Sequence, residues 1–353
     1  MSIKAVDLFC GAGGLTHGLQ NSGIDVVAGY DIAESCRFAY EHNNNAKFIN
    51  QSVPDLTASD IRPYLTDCEY TLLAGCAPCQ PFSTYTRTNR SKPSTTDERR
   101  DLLSSFGRLV SEVRPDFVTM ENVPGIIEQP VFKNFIKLLK KQDYKIDYKI
   151  VYCPDYGMAQ TRKRLVLVAS LLGEINLIPP THTPDEYKCV ADIIKCLPPI
   201  IAGETHTDDP LHRASTLSPL NMRRIKASIQ GGSWWDWPEE LRAACHVKES
   251  GKTFPGVYGR MSWDKPAPTI TTQCNGFGNG RFGHPEQDRA ISLREAAMLQ
   301  SFPVEYQFAE PNTQPPISAL AKMIGNAVPV RLGEIVGKSI LAHIEYIQLK
   351  KSA

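Results

Sequence analysis

The 353-residue sequence has almost no net charge, with 39 Lys and Arg against 38 Asp and Glu. Composition therefore does not announce a nucleic-acid binder, and any such role has to come from local clustering of charge. No apolar run reaches membrane length: the most apolar stretch, Leu165 to Leu172, falls far short of the roughly 20 residues a spanning helix needs. Low-complexity tracts and internal repeats are missing as well. The ten cysteines follow no repeating pattern and no secretory leader precedes Ser2-Ile3-Lys4, so we expect reduced thiols in a cytoplasmic protein without membrane contact. What is left is an ordinary globular composition, long enough for one large domain and a second, smaller one.

After the apolar run Tyr70-Thr71-Leu72-Leu73-Ala74, which reads as a buried strand, the chain enters Gly75-Cys76-Ala77-Pro78-Cys79-Gln80-Pro81-Phe82-Ser83, whose prolines stop regular structure. Cys79 is thereby displayed at the carboxyl end of a strand, the edge where doubly wound α/β sheets bind ligands, and is a candidate nucleophile. Two other readings stand beside this one. Cys76 and Cys79 form a C-x-x-C that fits a redox pair or half a zinc site, although no second pair completes a zinc ribbon and Pro81 argues against the helix a thioredoxin-like motif opens. Free cysteine is also among the most buried residue types, so a structural thiol remains open.

Ile3 to Phe9 alternates as a strand, Cys10-Gly11-Ala12-Gly13-Gly14 turns the chain, and Leu15 to Asn21 reads as a helix stopped by Gly23. Such a turn lets a ligand approach the backbone and offers free N–H groups to an anion, so a nucleotide-like cofactor is expected. The dinucleotide fingerprint fails at Thr16, where its third glycine would stand. The second strand, Ile24 to Tyr30, ends in Asp31, which is placed either to grip a ribose diol or to cap the helix starting near Ala33. Thr84 to Arg100 carries Arg87, Arg90, Lys92, Arg99 and Arg100 against only Asp97 and Glu98. It reads as a basic flap over a phosphate-bearing substrate or as a solvated linker.

Asp101 to Val113 is an amphipathic helix, and the strand Asp116 to Met120 ends in Glu121-Asn122-Val123. Glu121 would share a sheet edge with Cys79, or else serve as a capping or ion-paired residue. Val131 to Lys141 forms another helix, and Tyr144 to Tyr152 a half-exposed strand. Gln160-Thr161-Arg162-Lys163-Arg164 then leads into the strand Leu165 to Ala169, with Arg162 and Arg164 on opposite sides.

Past Leu172 prolines and histidines accumulate. We divide the chain into 1–172, a second domain at 173–257 extending to about 290, and a return to the large domain over 291–353. In the second domain Ser218-Pro219 starts a helix with Met222, Ile225 and Ile229 inside and Arg223, Arg224 and Lys226 outside. That basic helix and Trp234-Trp235-Asp236-Trp237 could grip a phosphate backbone, or the tryptophans could form the core. Ser292-Leu293-Arg294-Glu295 is a capping box, and Gly325-Asn326-Ala327-Val328-Pro329 leads into a helix running to about Tyr346.

The ordered set Asp7-Leu8-Phe9-Cys10-Gly11-Ala12-Gly13-Gly14, Pro78-Cys79-Gln80-Pro81-Phe82-Ser83, Glu121-Asn122-Val123, Gln160-Thr161-Arg162-Lys163-Arg164, Pro268-Thr269-Ile270-Thr271 and Gly325-Asn326-Ala327-Val328-Pro329 resembles the cytosine-C5 DNA methyltransferase family across nearly the whole chain. The resemblance implies an α/β fold: a Rossmann-like S-adenosylmethionine-binding domain on a mixed, mainly parallel sheet, plus a small irregular target-recognition domain, with duplex DNA in the cleft between them. It implies methyl transfer from S-adenosylmethionine to C5 of a flipped-out cytosine through a covalent Cys79–C6 adduct, leaving S-adenosylhomocysteine and using no metal. Cys79, Glu121, Arg162 and Arg164 would be catalytic. Asp7, Phe9, Gly11, Ala12, Gly13, Gly14, Asp31, Ile32, Ser52, Val53, Pro78, Leu102, Asn326 and Val328 would surround the cofactor, and Gln80, Ser83, Arg87, Arg90 and Arg260 would meet DNA.

Ser52 and Ile32 depart from the family's commoner acidic and aromatic residues at those positions. The expected protein is a monomer belonging to a restriction-modification system, with a separate endonuclease, or acting as an orphan modification enzyme. A tRNA cytosine methyltransferase is the nearest rival, but its Cys-Phe-Thr stretch is not found in the recognition region. Intact Cys79, Glu121 and Arg164 argue against a silent DNA-binding relative, and Thr16 against an NAD oxidoreductase.

Overall fold

The computed structural model describes residues 2–78, 102–248, 251 and 256–352. They form two compact units, one within 1–152, 163–180 and 328–353, the other within 153–162 and 181–327. Among the described residues no helix is long and apolar enough to cross a membrane, and none of the nine cysteines is in a disulfide.

The first unit is built on a seven-stranded sheet of β1 (Ile3–Leu8), β2 (Asp25–Asp31), β3 (Lys47–Asn50), β4 (Tyr70–Gly75), β5 (Phe117–Asn122), β6 (Lys145–Tyr152) and β7 (Lys163–Ser170), in the order β3-β2-β1-β4-β5-β7-β6. The first five strands run parallel, whereas β7 is antiparallel to both β5 and β6. The expected α/β class with a mixed, mainly parallel sheet holds. Strand order reverses between β1 and β4, so the glycine-rich turn after β1 and the segment after β4 leave the sheet side by side at its switch point.

Burial on both faces explains why these strands read as near-continuous apolar runs. Val6, Leu8, Leu73, Val118 and Met120 join a cluster with Phe106 and Phe135, whose rings stack at 5.5 Å between helices Leu102–Val113 and Pro130–Lys141. Asp7, alternating with Val6 and Leu8, faces helix Gly14–Asn21 instead, where it meets Thr16.

Helix Gly14–Asn21 crosses the last helix, Val330–Ser352, at Gly18 and Gly333. A Cβ on Gly18 would lie 2.1 Å from the Val330 carbonyl oxygen, and one on Gly333 would lie 2.7 Å from that of Leu15. Only glycine permits this approach. Gly18→Ala is expected to lower stability by about 1–3 kcal/mol through overpacking, read as a shift of the thermal unfolding midpoint.

Two local expectations change. The helix after Asp31 opens as a 3-10 turn, Glu34–Cys36, before Arg37–Asn43, and the last helix runs past Tyr346 to Ser352. The division of the chain differs as well. Residues 163–180 lie in the first unit, beyond the expected boundary near 173, while 291–327 lie in the second rather than returning to the large domain. The reason is packing: helix Leu293–Leu299 sits against Val190–Ile194 and Ile317–Asn326. Arg294 also pairs with Asp209 at 2.6 Å, holding its carboxyl below the ordinary range against the opposing effect of burial.

The second unit is short helices and loops around a polar and aromatic core. Helix Pro219–Lys226 is capped by Ser218, whose hydroxyl accepts from Asn221 N at 3.2 Å. Its expected faces are partly exchanged. Arg224 is buried, its guanidinium 5.4 Å from the Trp237 ring centre and 5.2 Å from that of Tyr258, while Ile229 is 60% exposed. A cation held against a pair of aromatic rings is a stable core element, which apolar periodicity does not register. Trp234 and Trp237 are core and Trp235 is exposed.

Candidate active site

The turn after β1 is wound left-handed at three points, Phe9 (φ 60°), Gly11 (φ 50°) and Gly13 (φ 89°). Phe9 in that region costs about 1–3 kcal/mol, strain of the kind found where backbone is shaped for a ligand. A Cβ added to Gly11 would meet nothing within 4 Å, so the turn opens outward there. Gly11 N donates to Asp31 Oδ2 at 2.9 Å and Ala33 N to Asp31 Oδ1 at 2.8 Å, so the carboxylate is locked against the turn by both oxygens. Each oxygen keeps a further lone pair for a ligand hydroxyl. Beside it Ile32 is 73% exposed, an apolar surface at the same edge. An open turn, a fixed carboxylate and an uncovered apolar side chain fit a nucleoside-bearing cofactor.

Asp7, expected among the cofactor contacts, lies beneath the turn and is buried. Its Oδ2 accepts from Thr16 Oγ1 at 2.8 Å, and Thr16 Oγ1 is 3.1 Å from the Tyr40 hydroxyl. Burial lifts the Asp7 carboxyl to about 7, with the Thr16 hydrogen bond opposing and the charge of Asp31 adding to the rise. Asp7 therefore supports the turn from below. Thr16, noticed in the sequence only as a missing glycine, is its anchor. Ala12, Gly13 and Gly14 are buried, Ser52 and Leu102 half-buried, and Pro78 exposed. Val53 belongs to the core cluster, so any contact it makes outward falls to its backbone.

At the end of β5, Glu121 is 6% exposed. The Cys76 thiol donates to its Oε2 at 2.9 Å. Arg164 Nε lies 2.7 Å from its Oε1 as an ion pair, but the geometry is not that of a hydrogen bond, and Oε1 has no hydrogen-bond partner. The antiparallel register of β5 on β7 makes this meeting possible: Glu121 pairs with Val166 and Asn122 with Leu165, which puts Arg164 at the exit of β5. Asn122 Nδ2 donates to the Ala77 carbonyl at 3.1 Å, tying the segment before Cys79 to the same strand end. Burial pushes the Cys76 thiol well above its usual range, and the Glu121 charge and hydrogen bond push further, so Cys76 stays a protonated donor. In the sequence Cys76 stands out only by its C-x-x-C spacing with Cys79. Among the described residues no group of His, Cys, Asp and Glu could hold a metal ion.

Arg162 belongs to the second unit, where Nη1 donates to the Ile270 carbonyl at 3.0 Å and Nη2 to that of Ala327 at 3.4 Å. Gln160 Oε1 accepts from Ile270 N at 2.8 Å, and its amide donates to Leu299 O at 3.0 Å. A Cβ on Gly325 would stand 2.2 Å from the Thr271 carbonyl carbon. Three separate motifs, around Gln160, Ile270 and Gly325, thus meet within one unit. Of the expected far-end cofactor contacts, Asn326 is exposed in the second unit and Val328 is buried in the first.

The expected DNA contact at Arg260 is corrected. Its guanidinium is 5% exposed and donates to the carbonyls of Ser228, Ile225, His284 and Gln287, and it pairs with Asp288. With its donors bound to the protein's own backbone, it braces loops and has none left for a phosphate. Cys79, Gln80, Ser83, Arg87 and Arg90 lie outside the described residues.

The sequence model of the C-5 cytosine-specific DNA methylases matches residues 3–342. The type II methylase M.HgiDII of Herpetosiphon aurantiacus is 51% identical over 343 residues, covering 96% of this chain and 95% of that protein. The type II methyltransferase M1.BsuMI of Bacillus subtilis is 32% identical over 359 residues, covering 95% and 79%. Among solved structures, DNMT2 of Spodoptera frugiperda superposes with a TM-score of 0.64 at 19% identity, covering 96% of this chain and all of that one, which speaks for the fold alone. With its sheet, its strand-end carboxylate and these relatives taken together, the chain belongs to the C-5 cytosine-specific DNA methylases and is a DNA (cytosine-5-)-methyltransferase.

Proposed function

We propose that the protein transfers a methyl group from S-adenosylmethionine to C5 of a cytosine flipped out of a specific duplex DNA sequence, through a transient bond between Cys79 and C6. The observation that carries the reading is the buried Glu121 carboxyl, charge-paired with Arg164 at one oxygen yet not hydrogen-bonded there, on the strand beside the one that leads into Cys79.

Cytosine C5 is a poor nucleophile because the ring is electron-poor. Addition of the Cys79 thiolate to C6 pushes electrons toward N3, where Glu121 shares a proton and limits the charge that develops. Arg164 holds Glu121 and would bond the cytosine O2. The enamine carbon C5 then takes the methyl group, which S-adenosylmethionine supplies as an electrophile before leaving as S-adenosylhomocysteine. A base or water removes the C5 proton and the Cys79–C6 bond breaks, which regenerates the thiolate. Arg162, bound to the carbonyls of Ile270 and Ala327, braces the motifs of the second unit.

Phe9, Gly11 and Gly13 would border the cofactor, Asp31 its ribose and Ile32 its base, with Ser52, the Val53 backbone, Pro78, Leu102 and Val328 completing the pocket. The target is buried in a stacked duplex, so flipping costs a few kcal/mol. Gln80, Ser83, Arg87 and Arg90 would meet the backbone around the gap. By likeness to relatives described as type II methyltransferases, the protein acts in a restriction-modification system, as a cytoplasmic enzyme alongside a separately acting endonuclease.

Incubation with a labelled methyl donor is expected to label duplex DNA and not tRNA, and bisulfite sequencing of DNA from expressing cells then locates the target. Label in tRNA alone would overturn the reading. Glu121→Gln is expected to keep cofactor affinity while the single-turnover rate falls about a hundredfold, the scale of one lost general acid.

A further inference from the structure

We propose that Cys76 is a positioning residue for methyl transfer: its thiol holds Glu121 by Oε2, so that Oε1, with the charge of Arg164 beside it, is the oxygen left to meet the pyrimidine ring. The inference rests on the reading of Glu121 as the acid.

Cys76 stands one residue beyond the last paired position of β4, where Gly75 sits opposite Met120, which places it across from Glu121. Its own N–H continues the ladder to the Leu8 carbonyl at 3.2 Å, so the thiol is mounted on the sheet rather than on a loose loop. The 2.9 Å contact to Oε2 therefore joins two rigid strand ends. Oε1 of this nearly fully buried carboxyl has the Arg164 charge 2.7 Å away but makes no hydrogen bond, and a buried acceptor without one is expensive unless a ligand completes it. One oxygen is thus restrained by the protein and the other is reserved. Without the thiol, Arg164 alone orients the carboxyl, and Oε2 can compete with Oε1 for the place beside the guanidinium.

The test compares Cys76→Ala, which removes the donor, with Cys76→Ser, which retains one, each alone and in a Glu121→Gln background, in single-turnover methylation of duplex DNA. Cys76→Ala is expected to lower the rate about tenfold, with cofactor and DNA affinities within about twofold of the parent, and Cys76→Ser to restore most of the rate. In the Glu121→Gln background Cys76→Ala should change nothing further, because the two residues act as one unit.

An unchanged rate in Cys76→Ala, equal losses in Ala and Ser, or a full additive loss on top of Glu121→Gln would each overturn the proposal. If Glu121→Gln itself keeps the parent rate, the reading of Glu121 as the acid is what fails. Should Cys76→Ala not fold, Cys76→Val, closer in volume to the thiol, carries the same comparison.

Discussion

Duplex DNA carrying 5-fluorocytosine in place of the target cytosine, offered with S-adenosylmethionine, is expected to become irreversibly joined to the protein, and peptide mapping to place the joint at Cys79. The fluorine at C5 cannot leave as a proton does, so the last step, in which the thiolate is expelled, is blocked after the methyl group has arrived. Cys79→Ala should form no adduct and should lower methyl transfer by a factor on the order of 10⁴ or more, because the step that turns the ring into a nucleophile is lost rather than slowed. Cofactor binding should survive, since Asp31 is held against the turn after β1 by Gly11 N and Ala33 N. Attachment at another residue, or ordinary turnover by Cys79→Ala, would refute the assignment.

The second large effect concerns the fold of the second unit. Arg289 and Glu295 are both almost completely buried and face each other through two hydrogen bonds of 2.7 Å, and Glu295 also accepts from Ser292 N at 2.7 Å while Ser292 caps its helix. Glu295→Ala leaves the guanidinium buried and unpaired, which is expected to cost about 3–5 kcal/mol. Denaturant unfolding should show this loss, and replacing Arg289 as well by an apolar residue should recover part of it.

The same cluster sets a direction with pH. Burial, above all, pulls His284 down from its ordinary 6.5 to about 4, so the unfolded chain binds its proton first and stability falls as pH drops from about 6.5 toward 4. For Glu295 burial acts to raise the carboxyl, but Arg289 outweighs it and holds it below the ordinary range. The folded value is depressed, so the stability it provides is present above the unfolded value and is lost as pH falls through the folded one. Both groups therefore make this unit acid-sensitive, in that order. A melting temperature independent of pH between 7 and about 4 would count against the arrangement.

Much of the first unit was legible because its strands are apolar on both faces and its turns are punctuated by glycine and proline, so local pattern and global position agree. Glu121 could be placed at a strand end for the same reason. The reversed direction of β7 could not, since strand sense depends on which partner lies across the sheet, a long-range fact with no local trace. Nor could the fate of individual cations. Arg224, Arg260 and Arg289 look like surface residues by type, yet each is buried because carbonyls, a carboxylate or aromatic rings satisfy it. Arg260 was accordingly misread as a DNA contact. Nothing local announces Cys76 beyond its C-x-x-C spacing, because its partner, the Glu121 carboxyl, stands across the sheet on another strand.

The reversal of β7 has a consequence for how this enzyme can change over time. Side chains alternate along a strand, so one residue inserted after Arg164 would swing that guanidinium to the opposite face and separate it from Glu121. The stretch between Tyr152 and Lys163, by contrast, leaves the hairpin of β6 and β7 and returns to it at a single paired rung. Lengthening there would be absorbed outside the sheet. An insertion after Arg164 therefore breaks its pairing with Glu121, whereas one before Lys163 leaves the sheet register intact and falls instead on the buried hydrogen bonds of Gln160 and Arg162.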